Sequence, residues 1–201
     1  MKIGVLGGTF DPVHLAHLAV AEAVKAELDL TEVIFVPAGQ PWLKANNYIS
    51  APEHRVQMVR LAIAGKAYFR LSTMEIDRPG PSYTVDTMAE LRGQINTEDE
   101  LYFILGWDNL AEMPRWREPA RLIQLCYLVA VPRPGYPVPD LMKLEGNIPG
   151  IAKRVIVMDK PELDISATEI RKRLSGGEPI NDLVPAAVAK YIRRHGLYLS
   201  G

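Results

Sequence analysis

At 201 residues with 48% hydrophobic content, the chain can bury a full core, and one α/β domain over residues 1–201 is expected rather than two small ones. Its 23 lysines and arginines face 24 aspartates and glutamates, a formal net charge of -1, which excludes a global field recruiting nucleic acid or an anionic membrane. No N-terminal stretch has the basic start, apolar centre and small-residue cleavage site of a secretory leader, and no apolar run approaches the ~20 residues of a membrane span, so a cytoplasmic protein is expected.

Taken in chain order, short apolar runs alternate with helical patterns. "KIGVLG" (2–7), "EVIFVPA" (32–38), "YFRLSTMEI" (68–76), "ELYFILG" (100–106), "CYLVAVPR" (126–133) and "RVIVMD" (154–159) are apolar on both faces, as strands of a buried parallel sheet must be. Between them, Ser50 and Glu53 have capping-box spacing ahead of "HRVQMVRLAIAG". Ser166 and Glu169 repeat the device in "ISATEI", with Ile165 and Ile170 placed for a hydrophobic staple. A last helix over Pro185–His195 starts with proline and carries its cations at the negative end of its dipole. The alternation predicts a Rossmann-like, doubly wound, mainly parallel sheet with helices on both faces. The irregular stretches 38–48 and 132–140 are candidate loops over a site. Cys126, the single cysteine, reads as a buried small hydrophobe rather than a reactive thiol.

The stretch "GGTFDPVHLAHLAV" (7–20) asks for a chemical explanation. In such a sheet ligands bind beyond the carboxyl ends of the strands, and the first strand-to-helix turn is the usual phosphate site. Gly7 and Gly8 let the backbone approach an anion with no Cβ in the way, and the N–H groups opening the next helix face it. Asp11-Pro12 favours an extended entry. His14 and His17 fall at i and i+3, on one face of the first turn. An ordinary turn with two surface histidines is the bland alternative. A zinc site would need further ligands that the scattered carboxylates and one cysteine do not supply, and no metal ligand is assigned. A dinucleotide fold would want G-x-G-x-x-G where the chain has "GGTFDP".

The segment "GGTFDPVHLAH" resembles the H-x-G-H signature of the nucleotidyltransferase superfamily, and "ISATEIR", about 150 residues later, is similar to its second signature, I-S-S-T-x-I-R. "PGPSYTVDTMAEL" (79–91), "ILGWDNLAEMPRW" (104–116) and "VPRPGY" (131–136) resemble segments of one branch, the bacterial nicotinate-nucleotide adenylyltransferases. The resemblance spans nearly the whole chain. It implies transfer of the AMP part of ATP to nicotinate mononucleotide, giving deamido-NAD and pyrophosphate with Mg²⁺. An exposed helix face or sheet edge leaves room for a homo-oligomer. Two other readings stand beside it: a pantetheine-phosphate adenylyltransferase, and a non-catalytic nucleotide sensor of the same fold.

The resemblance also implies roles. His14 and His17 meet the ATP phosphates, His17 the α-phosphate; Lys44 and Arg171 add positive charge. Gly7, Gly8, Thr9, Phe10, Gly106 and Asp108 belong to the ATP site, Asp108 on the ribose, while Ser166 and Thr168 hold the β- and γ-phosphates at their helix start. Tyr83, Thr84, Trp116 and Arg133 belong to the mononucleotide: Thr84 through its N–H on the carboxylate, Trp116 by stacking, Arg133 on phosphate. Three positions depart from the family pattern. Ala16 replaces the signature glycine, Leu43 stands in a histidine place beside Lys44, and Trp107 is large where a small residue is usual, able to reshape the adenosine side or to point outward at a partner.

Overall fold

The computed structural model describes residues 1–41 and 49–199. Lys44 and Leu43 lie outside these described residues. Six strands, β1 (Lys2–Gly8), β2 (Glu32–Pro37), β3 (Phe69–Leu71), β4 (Glu100–Gly106), β5 (Tyr127–Val131) and β6 (Val155–Val157), form one sheet in the order β3-β2-β1-β4-β5-β6. Every neighbouring pair is parallel. This is the doubly wound arrangement, whose strand order reverses between β1 and β4 and opens a crevice there.

The strands sort their side chains between two cores with the expected period of two. On β4, Tyr102 and Ile104 face one core, while Leu101, Phe103 and Leu105 face the other. The first core is roofed by helices α1 (Leu15–Leu28), α2 (Pro52–Ile63), α8 (Ala167–Ser175) and α9 (Ala186–Arg194). The second lies under α4 (Thr84–Gln94), α5 (Trp107–Ala111), α6 (Pro119–Leu125) and α7 (Leu141–Asn147). Cys126 is buried in that second core, where burial pushes its thiol up to about 12, as suits an inert small hydrophobe. No helix among the described residues is long and apolar enough to cross a membrane.

Two expectations change. The run read as a strand over 68–76 is a strand only to Leu71: the Ser72 N–H makes a last bond to the Phe35 carbonyl. The chain then turns into a short helix, α3 (Met74–Asp77), with the Thr73 carbonyl accepting from Ile76 and Asp77. At a sheet edge no further neighbour rewards extension, so a local turn wins. Ser50 does not cap α2, whose N-cap is Ala51. The Ser50 N–H donates to Asp11 Oδ2 at 3.1 Å instead.

That displaced serine belongs to a clamp on the loop after β1. Arg55, 1% exposed, reaches from α2 and donates to the carbonyls of Thr9 (2.9 Å), Ala38 (2.7 Å) and Ser50 (3.0 Å). Arg171 of α8 donates to the Asp11 carbonyl at 2.7 Å, and the Tyr198 hydroxyl to Asp11 Oδ1 at 2.5 Å. The Asp11–Pro12 peptide is cis. Buried carbonyls left without donors are expensive, so Arg55→Ala is expected to destabilise the fold by roughly 3 kcal/mol, read as a lowered urea midpoint at unchanged m-value.

Candidate active site

The crevice between β1 and β4 holds a cavity of about 310 Å³, within the range of small-molecule sites. Its floor is Gly7 and Gly8, and a side chain at Gly8 would press on the Phe10 ring at 3.1 Å. Phe10 itself, 2% exposed, lies beneath the loop. It takes a positive φ of 50° and packs edge-on against His17, ring centroids 5.0 Å apart. Phe10 therefore shapes the cavity floor from below and is not among the residues that line the cavity.

His14 is the N-cap of α1 and His17 its N3 residue. The His17 Nδ1 accepts from the His14 N–H at 3.2 Å, which puts the ring proton of neutral His17 on Nε2. The two rings stack, centroids 3.7 Å apart and 27° from parallel. His14 is 3% exposed, and its Nδ1 has no hydrogen-bond partner among the described residues. Burial first, then the field of Arg133, lower its pKa from 6.5 to about 4. Both rings line the cavity, so the first turn of α1 brings the two imidazoles together at one wall, with His14 Nδ1 unpaired among the described residues.

The facing wall comes from β4 and its continuation. A Cβ at Gly106 would lie 2.3 Å from Asp108 Oδ1, so the glycine lets that carboxylate fold back over the strand end into the cavity lining. Trp116 lines the same cavity, half-buried, with its ring edge-to-face on Phe103 at 6.2 Å. Thr84, the first residue of α4, and Arg133, on the turn after β5, complete the opposite ends. Tyr83 precedes Thr84 as N-cap, under the Arg117 guanidinium at 4.7 Å, and is not part of the lining. Ala16 lines the cavity, its methyl facing any ligand. Trp107 is half-buried, its indole packed against the second core, and it is not among the residues that line the cavity.

On the α8 side the lining ends at Ile165. Ser166 is the N-cap of α8, its hydroxyl accepting from the Glu169 N–H at 3.2 Å, while the Glu169 carboxylate faces Arg173 at 3.4 Å. Thr168 is exposed beyond it, 3.4 Å from Arg171 Nη2. Arg171 thus holds the β1 loop rather than facing the cavity. Sequence reasoning missed Glu75 and Ser82, which line the cavity, and the Asp11–Ser50–Tyr198–Arg55 clamp. Glu75 was concealed by its place in an apolar run, and the clamp joins residues too far apart for spacing to reveal.

Comparison with known proteins adds the family. A cytidylyltransferase-like family model matches residues 5–173. A probable nicotinate-nucleotide adenylyltransferase of Dehalococcoides mccartyi is 51% identical over 198 residues, 98% of this chain and 97% of the relative. The chain belongs to the nicotinate-nucleotide adenylyltransferase family. A relative of the same name from Roseiflexus is 48% identical over 196 residues, with 98% and 97% coverage. The fold matches a solved Plasmodium falciparum nicotinic acid mononucleotide adenylyltransferase complexed with NaAD, TM-score 0.80 at 22% identity, covering 98% of this chain and 97% of that one. Family membership sets aside the pantetheine-phosphate reading.

His14 supplies a pH signature. Its folded pKa of about 4 lies below the 6.5 of the unfolded chain, so between these values the unfolded state binds the extra proton and stability rises with pH. The contribution is whole above pH 6.5 and is lost on acidification. Relative to His14→Asn, the wild type is expected to lose about 3 kcal/mol more stability between pH 7 and pH 4, measured by urea unfolding at each pH.

Proposed function

We propose that this chain transfers the adenylyl group of ATP to nicotinate mononucleotide, forming nicotinate adenine dinucleotide and pyrophosphate. The observation that carries the reading is a single cavity with an anion-holding face, Gly7, Gly8, His14 and His17, opposite a ring-holding wall of Trp116 and Phe103. Relatives about half identical over the whole chain bear the corresponding name.

The attacking group is a phosphate, ionised at neutral pH because its second pKa is near 6, so no general base is needed. The site has to align the nucleophile with the α-phosphate and stabilise charge on it and on the leaving pyrophosphate. The imidazoles supply N–H donors, and Arg133 at the rim supplies a fixed charge on the same cavity. Ser166 and Thr168 at the start of α8 stand where the outer phosphates would extend, and Lys44 would add charge from outside the described residues. Asp108 suits ribose hydroxyls, since a carboxylate only accepts. Trp116 offers a face for the pyridine ring.

No group of three or more histidine, cysteine, aspartate or glutamate side chains gathers as a metal cage among the described residues. Mg²⁺ characteristically binds through phosphates, water and one or two carboxylates, so the site fits an ion carried in on the triphosphate, with Asp108 the nearby carboxylate of the ATP side. Such an ion would supply charge neutralisation to the phosphates.

His17→Ala is expected to reduce turnover by about 10² to 10³, the scale for losing one charge-stabilising donor, in a pyrophosphate-release assay, with a near-wild-type thermal melt. Near-normal turnover would make the opening loop purely structural, and binding of both nucleotides by the wild type without turnover would identify a sensor. Helix α4 has no side-chain cap, so its first N–H groups and positive dipole end face the ring substituent. A carboxylate accepts there with both oxygens, whereas an amide must turn its NH₂ toward a donor, at about 1 to 3 kcal/mol. Nicotinate mononucleotide is therefore expected to exceed its amide counterpart by at least about tenfold in kcat/KM, measured at fixed ATP and Mg²⁺.

A further inference from the structure

Glu75 is 8% exposed and lines the cavity. It sits on α3, a helical turn held against the chain after β2: Gly39 approaches the Glu75 carbonyl so closely that a Cβ there would lie 2.1 Å from the oxygen. The Glu75 carboxylate accepts from the Thr87 hydroxyl at 2.6 Å and from the Ser82 hydroxyl. Ser82 Oγ in turn accepts from the N–H groups of Gly39 (2.9 Å) and Gln40 (3.2 Å). Each hydroxyl thus has its acceptor capacity engaged and its proton directed at Glu75, as holding an ionised carboxylate requires.

Among the described residues the charge itself lacks an ion-pair partner. Among the described residues Glu75 makes no ion pair; Arg78, whose field reaches it, places its guanidinium on Glu90 at 3.0 Å and on the Thr87 hydroxyl at 2.8 Å. Buried charges are ordinarily paired, and burial outweighs both hydroxyl bonds, leaving the carboxyl above its usual range. Glu75 lines the cavity and is bonded to Thr87 of α4, the helix that Thr84 opens; Trp116 lines the same cavity, and its neighbour Arg117 lies over the Tyr83 ring at the N-cap of that helix. An occupant carrying positive charge there would complete the pair.

We infer that Glu75 is a specificity residue that recognises the fixed positive charge of a pyridinium ring, with the cavity's ring-holding wall placing that cation between the Trp116 indole and the Glu75 carboxylate. The inference rests on the proposed mononucleotide substrate and adds to it a reason for choosing a charged ring. Aromatic faces attract cations, and a carboxylate in a site of low dielectric does so more strongly than in water. The polar ends of the substrate then match the site in alternation: phosphate toward the histidines and Arg133, ring cation toward Glu75, carboxylate toward the start of α4.

Two ligands separate this from a structural role: nicotinate mononucleotide, and its carbon isostere, the 3-carboxyphenyl C-nucleotide, whose ring is flat but uncharged. Binding of each is measured by calorimetry on wild type, Glu75→Gln and Glu75→Asp, with thermal melts alongside. The wild type is expected to prefer the pyridinium by about tenfold or more. Glu75→Gln should lose that preference by weakening pyridinium binding alone, and Glu75→Asp, which keeps the charge, should retain part of it. Equal weakening of both ligands in Glu75→Gln, or a wild type indifferent to ring charge, overturns the inference. Pyrophosphate release is assayed separately: its absence with bound pyridinium overturns the proposed reaction while leaving the charge preference readable.

Discussion

The guanidinium of Arg55 is the constraint on which the site depends. A loop rich in glycine at the end of a strand has many conformations, and its backbone N–H groups are useful to an anion only if they stay aligned. Arg55 removes that freedom by gripping carbonyls on both sides of the crevice floor, Thr9 after β1 and Ala38 after β2. With the carbonyls turned inward to the guanidinium, the loop is held in one arrangement from beneath. Asp11 extends the same logic, drawing in Ser50 and Tyr198 through its carboxylate and Arg171 through its carbonyl. Preorganisation of this kind is what a reaction without acid–base chemistry can exploit, because alignment and charge placement supply most of the available acceleration.

Electrostatically, the cavity is graded rather than uniform. Near the histidines burial favours neutrality, and Arg133 adds positive potential. Across the crevice Asp108 and Glu75 supply the negative groups of the lining. Keeping His14 neutral spares the site a buried cation within the field of the exposed Arg133. A phosphate arriving there meets donors whose ring polarity is not engaged elsewhere in the case of His14 Nδ1.

Much of this was legible in sequence where the governing physics is local. The strands announced themselves by apolar runs, and α8 by Ser166 and Glu169. The pairing of His14 with His17 followed from helical spacing alone. What escaped was set by distant partners. Ser50 has cap spacing, yet its N–H is claimed by Asp11, 39 residues away. The apolar run through Ile76 bends at Ser72 because the sheet ends there. Trp107 rests against the second core, a contact that no motif encodes. Arg171 matches a phosphate-binding pattern, and its bond to the Asp11 carbonyl, a contact spanning 160 positions, is one that spacing does not reveal. Glu75 was hidden because its neighbours look like a strand.

The Tyr198–Asp11 bond links positions 187 apart, so the loop made early in synthesis acquires this anchor only after the chain has been extended as far as Tyr198. Until Tyr198 arrives, Asp11 has one carboxylate oxygen without that hydroxyl, and the glycine turn is held by fewer bonds. Contacts of such long sequence separation form late, since closing the intervening chain must precede their reward. The finished form of the glycine turn is therefore coupled to a remote segment: a chain that has not yet reached Tyr198, or has lost it, can build the sheet before the turn after β1 has all its anchors.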